Sequence, residues 1–171
     1  MESIPDGIVD LAGLELAAFT RLNNQHARET SWLSEEEFER LVGIAFYARG
    51  FESDADADAF LIALEETALY RNPNFEFFLA RHARFVYIDR IITANHARRR
   101  GLARRLYDDL FVRARGAGHA VVGCEVNLDP PNPGSDSFHA RLGFVEVGRA
   151  RLENGKTVRY LERSLRIAGQ S

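Results

Sequence analysis

The chain has one cysteine, one methionine and one tryptophan in 171 residues, and Lys156 is the single lysine among its 22 basic residues. A lone thiol, Cys124, excludes an intrachain disulfide and leaves no cysteine-based metal site, so no metal is expected. No apolar run approaches the roughly 20 residues that cross a bilayer. Met1 to Asp10 carries acids where a secretory signal needs an apolar core, which predicts a cytoplasmic protein with no membrane partner. Basic excess is lacking too. A formal net charge of −3 argues against general nucleic-acid binding, because proteins that neutralise several phosphates carry surplus positive charge. Repeats, low-complexity tracts and linkers are missing, and a chain of roughly 150 residues already buries about 70% of its extended surface in one core. A single domain over residues 1–171 is therefore expected.

What is present is ordinary for a globular protein, 46% hydrophobic and 27% charged, with its basicity concentrated. Seven arginines fall between Arg98 and Arg115, while acids gather at Glu35 to Glu39 and Asp54 to Asp58. A local basic stretch in an acidic chain suits a small phosphorylated ligand better than a polymer.

Gly7 to Leu11 reads as a short opening strand, and Leu14 to Ala27 as a helix with Leu14, Ala17, Ala18 and Leu22 along one side. Ser34 followed by Glu37 is a capping-box signal and predicts a helix from Glu35 to Val42. Ile44 to Arg49 and Ala59 to Leu64 read as strands around the acidic tip Glu52 to Asp58, which lacks a hairpin signature. Tyr70 to Phe78, with Asn72-Pro73-Asn74, predicts a turn followed by a short helix or an irregular segment. Phe85 to Thr93 is rich in aromatic and β-branched residues and predicts a strong strand. The aromatics Phe75, Phe77, Phe78, Phe85 and Tyr87 read as core. Leu102, Leu106, Leu110 and Phe111 recur at helical spacing through Leu102 to Arg115, and Gly116-Ala117-Gly118 supplies the stop. Ala120 to Leu128 is the next strand. Asp129 to Gly134, with three prolines, forbids regular structure until Ser135 or Asp136 caps a helix through Leu142. Phe144 to Arg149 and Thr157 to Leu161 close the chain as strands around Asn154-Gly155.

The junction between the Phe85 to Thr93 strand and the following helix reads Arg98-Arg99-Arg100-Gly101-Leu102-Ala103. A helix begins there with backbone N–H groups that have no intrahelical partner and with the positive end of its dipole, so a phosphate can be held by main chain alone. Gly101 lets that backbone approach closely.

This pattern resembles the pyrophosphate-binding signature of the GCN5-related N-acetyltransferases, Arg/Gln-x-x-Gly-x-Gly/Ala, at Arg98, Gly101 and Ala103. A second family signature follows, an Asn and then a short helix ending in Gly-Phe, matched by Asn132, Phe138, His139, Gly143 and Phe144. The stretch Cys124 to His139, together with Leu22 to Ala27 and Phe85 to Arg90, is similar to an uncharacterised branch of predicted acetyltransferases. The resemblance implies an α/β (α+β) fold with a central mixed, mostly antiparallel sheet flanked by helices. It also implies acetyl-CoA as cosubstrate and a primary amine, on a small molecule or a protein, as acceptor, with a homodimer left open.

In the implied complex the main chain of Ile91, Ile92 and Thr93 pairs with pantetheine, and the amides of Arg99, Arg100, Gly101, Leu102, Ala103 and Arg104 take the pyrophosphate, with Arg98, Asn132 and Phe138 alongside. A backbone N–H near Ile91 or Ile92 would polarise the thioester carbonyl, a role worth about 2.7 to 4 kcal/mol. Where the family commonly has a tyrosine as general acid this chain has His139, which could move a proton in either direction or only pack against the cofactor. Asp89 and Glu125 each interrupt an apolar strand, and each is a candidate base or amine anchor; Asp89 could instead pair with Arg90, and Glu125 could face solvent. His26, Glu29 and Trp32 are candidates for the acceptor wall, although His26 and Glu29 could be a mere helix-surface pair. The altered tyrosine position also admits a non-catalytic acyl-CoA-binding regulatory module, and the arginine-rich helix an RNA-associated protein, which the net charge disfavours.

Overall fold

The computed structural model describes residues 7–129 and 131–166. Met1 to Asp6, Pro130 and Ile167 to Ser171 lie outside the described residues, and with them most of the N-terminal stretch tested above for a signal and one proline of the Asp129 to Gly134 break. The chain forms two compact units.

The first unit comprises the residues up to Leu64 together with Ile88–Arg113. It contains β1 (Val9–Asp10), α1 (Ala17–Gln25), α2 (Glu35–Ile44), β2 (Tyr47–Ser53) and β3 (Asp56–Glu65, up to Leu64). Most of β4 (Val86–Thr93) and of α4 (Leu102–Gly116) completes it. Strand β2 pairs antiparallel with β1 and with β3. Every residue from Ala57 to Leu64 is buried, a pattern that requires cover on both faces of the strand. Phe60 meets Phe19 of α1 at 6.1 Å and Phe38 of α2 at 5.4 Å, both edge-on. On β2, Tyr47 and Arg49 each donate to Asp109 of α4 at 2.8 Å. The α2 capping box forms as the sequence predicts, Ser34 Oγ accepting from Glu37 N and Glu37 accepting from Ser34 N. The acidic tip is tighter than expected. β2 and β3 extend to Ser53 and Asp56, and the two residues between them, Asp54 and Ala55, turn with φ of 48° and 62°, the left-handed pair of a two-residue hairpin.

The second unit comprises Glu65–Tyr87 and the chain from Ala114 onward. It holds α3 (Pro73–Arg81), β5 (Val121–Asn127), α5 (Pro133–Arg141), β6 (Val145–Arg151) and β7 (Thr157–Ser164). Val86 and Tyr87 pair in parallel with Val122 and Gly123, while β7 is antiparallel to β5 and β6. Helix α3 resolves the ambiguous Tyr70 to Phe78 segment: Asn72 Oδ1 accepts from Phe75 N at 2.7 Å and Pro73 sits at the first position, where its missing N–H loses nothing. Phe78 of α3 lies against Gly123, leaving no space for a Cβ there. Helix α5 starts earlier than expected. Its cap is Asn132, which accepts from Ser135 N at 3.1 Å, with Pro133 at the first turn, so Ser135 and Asp136 are inside the helix rather than capping it. Among the described residues no helix is long and apolar enough to cross a membrane.

Candidate active site

In the first unit, β4 leads through Ala94 and a single 3-10 turn, Asn95–Ala97, to the arginine-rich junction and α4. Arg99 has φ 65° and Gly101 φ 71°, so the backbone turns left-handed on both sides of Arg100. Turns that alternate hand bring successive N–H groups together into an anion-binding concavity, and α4 adds its unpartnered first-turn N–H groups and dipole. Arg98, Arg99, Arg100 and Arg104 are exposed, whereas Leu102 packs inward. A Cβ placed on Gly101 would meet nothing within 4 Å; its glycine is required by φ and leaves open space for a ligand. These features fit a diphosphate. Ile92 is buried, and Ile91 and Thr93 are half-buried.

Sequence reading assigned Asp58 to the acidic tip, but it lies on β3 beneath this turn with a side chain only 2% exposed. Its Oδ1 accepts from His96 Nε2 at 2.9 Å and from Ser53 Oγ at 3.0 Å, and its Oδ2 from Arg100 Nη1 at 3.5 Å. Burial alone would raise its carboxyl pKa; the bonds from His96 and Ser53 and the nearby Arg100 outweigh burial and hold it below the usual value. The one available signal was a charge inside the apolar run Ala57 to Leu64.

Asp89 is 3% exposed at its side chain and pairs with Arg90 Nε at 2.7 Å. Arg90 also donates to Asn23 Oδ1 at 2.8 Å and Ser31 Oγ at 3.4 Å, so this acid belongs to a network tying β4 to the α1–α2 connection. Asn24 exchanges bonds with Leu33, donating to its carbonyl and accepting from its N–H. The connection is clamped on both sides of Trp32, whose residue is nevertheless 66% exposed. Trp32 lines an open groove with Thr20, Arg21, Asn24, Leu33 and Glu35. His26 turns Nδ1 to the Leu22 carbonyl at 3.2 Å, and Glu29 is exposed.

The second unit holds the remaining candidates. His139 is 5% exposed, and its Nδ1 lies 2.8 Å from the Ser135 carbonyl and 3.2 Å from Ser135 Oγ. A carbonyl only accepts, so Nδ1 carries the proton and Nε2 is in the acceptor form. Burial lowers the pKa of this histidine, outweighing the bond to Ser135. Phe138 and Phe144 flank the ring edge-on at 5.5 and 5.2 Å. Glu125 accepts from Tyr87 Oη at 2.8 Å, and the Tyr160 pKa is raised by burial and then by the Glu125 charge. Asn132 spends its side chain on the α5 cap. Glu65, Glu66 and His119 bring ligand-type atoms within 4.8 Å; there Glu65 accepts from His119 and Glu66 from Phe85 N and Arg84, which accounts for the trio as a hydrogen-bonded cluster.

Fold and turn together describe an α/β protein with parallel and antiparallel strand pairs, whose α4 opens on a left-handed turn behind exposed arginines. A profile of the Acetyltransferase (GNAT) family matches residues 15–144. Among solved structures the chain is similar to the ribosomal-protein-S18-alanine N-acetyltransferase from Escherichia coli, at 20% identity over 96% of each chain with a TM-score of 0.69. It is similar to Ard1 from Thermoplasma volcanium at 14% identity, covering 92% of this chain and 95% of that one with a TM-score of 0.71. It also resembles yncA from Salmonella typhimurium, solved with its cofactor acetyl-CoA, at 14% identity over 96% of each chain with a TM-score of 0.69. No curated protein matches. Identities this low speak for the fold alone, but the profile spans most of the chain: the protein belongs to the acetyltransferase (GNAT) family and is an N-acetyltransferase with acetyl-CoA as cosubstrate.

Proposed function

We propose that the protein acetylates a primary amine, on a small molecule or a protein, by direct attack within a ternary complex. The observation that carries this reading is the left-handed turn at Arg99 and Gly101 opening α4 behind exposed arginines. Acetyl-CoA supplies an activated acyl carbon and a thiolate leaving group. Main-chain amides from Arg99 to Arg104 hold the diphosphate, Arg98 adds charge, and the main chain of Ile91, Ile92 and Thr93 pairs with the pantetheine amides. A backbone N–H near Ile91 or Ile92 polarises the acyl carbonyl, a contribution of about 2.7 to 4 kcal/mol.

Among the acids, Glu125 is the better base or amine anchor, because Arg90 compensates the Asp89 charge within a buried pair. Asp89 then sets the geometry of β4 and the loop bearing Trp32, which with His26 and Glu29 forms the acceptor wall. His139 accepts a proton through Nε2 rather than delivering one, since its Nδ1–H is committed to Ser135. The test is thiol release from acetyl-CoA with a panel of small amines and peptides, with acetylated product identified by mass. Tight acetyl-CoA binding without thiol release for any acceptor would overturn the enzyme in favour of a non-catalytic acyl-CoA-binding module.

A further inference from the structure

The turn that opens α4 carries a conformational cost. Arg99 lies at φ 65°, a conformation that side chains rarely adopt and that persists only if its surroundings over-determine it. Three attachments from this segment converge on one buried residue. The Asp58 carbonyl accepts from Ala94 N at 2.8 Å, before the turn; its carboxylate takes His96 within the 3-10 turn and Arg100 between the two left-handed residues. Ser53, across the β2–β3 hairpin, fixes the carboxylate from the other side. His96 and Arg100 are themselves more than half exposed, so exposed side chains are anchored to a buried carboxylate.

From this geometry we infer that Asp58 is a positioning residue, holding the turn so that its main-chain amides form a preset cradle for the diphosphate of the acyl donor. The inference rests on the reading of Arg98 to Arg104 as the diphosphate site. Charge alone makes the opposite prediction: a carboxylate near an anion site repels the anion, so removing it would tighten binding. Positioning requires that removing it weakens binding.

Calorimetric titration with acetyl-CoA and with S-acetylpantetheine, which lacks the diphosphate, separates these cases. Asp58→Asn is expected to weaken acetyl-CoA about tenfold, or about 1.4 kcal/mol, and to leave S-acetylpantetheine within about twofold. His96→Gln, at an exposed position, is expected to weaken acetyl-CoA about threefold, the scale of one hydrogen bond. Equal weakening of both ligands overturns the positioning role, as does unchanged or tighter acetyl-CoA binding by Asp58→Asn when Gly101→Val weakens it; either leaves the site reading standing. Acetyl-CoA affinity untouched by Gly101→Val as well removes the site reading, and the positioning role with it. If Asp58→Asn does not fold, unchanged acetyl-CoA affinity in His96→Gln overturns the inference.

Discussion

Burial lowers the His139 pKa from its ordinary 6.5, and this single environment has two consequences of definite sign. As a proton acceptor His139 works in its neutral form, so its contribution to kcat/KM is expected to be lost as pH drops through its lowered pKa. A proton-delivering His139 would give the reverse slope. For stability, the unfolded chain binds the proton more readily than the folded one, so the contribution is present above about 6.5 and lost as pH falls through the folded pKa. His139→Phe should flatten the pH dependence of the urea midpoint in that window; an unchanged slope would assign it elsewhere. Cys124 is buried and its thiol pKa is pushed well up, so the native protein is expected to resist iodoacetamide at neutral pH, with labelling appearing only on denaturation. At this scale residue type was legible and partner was not: Glu125 was visible as an acid in a strand, but its bond to Tyr87 joins residues 38 apart, and the Asp58 tether to His96 joins residues equally distant in sequence.

Helix ends and turns were read best where the signal is local. The Ser34–Glu37 box lies within four residues and forms as expected; Ser34→Ala should cost about 1 kcal/mol in chemical denaturation. The α5 start was misread because two caps competed in one segment, and Asn132 followed by Pro133 prevailed over Ser135: a proline with no N–H to satisfy sits best in the first turn. The β2–β3 turn was hidden because Asp54-Ala55 is not an Asn-Gly pair. Ala55 holds φ 62°, where an L residue loses about 1 to 2 kcal/mol. Ala55→Gly is therefore expected to stabilise the protein by up to about 1 kcal/mol once the extra entropy of an unfolded glycine is subtracted, measured as a higher urea midpoint.

For the molecule as a whole, acetyl-CoA binding to the folded chain must appear as stability. At about 100-fold excess over Kd the linkage is about 2.7 kcal/mol, which for a chain of this length raises Tm by roughly 5 to 11 °C. S-acetylpantetheine at the same molar concentration should give a much smaller shift, because the diphosphate contacts are missing. The sequence by itself determined the element order from β4 onward, the burial of Phe75, Phe78, Phe85 and Tyr87, with Phe77 left half-buried, and the place of the Arg98 to Ala103 turn between β4 and α4, since each depends on periodicity, capping chemistry or a glycine at the required position. Only the tertiary structure decided which charges are working partners. Asp89 meets Arg90, Asp58 holds the loop across from its strand, and His139 turns its proton to Ser135, because hydrogen bonds are set by distances in space that residue spacing along a chain does not specify.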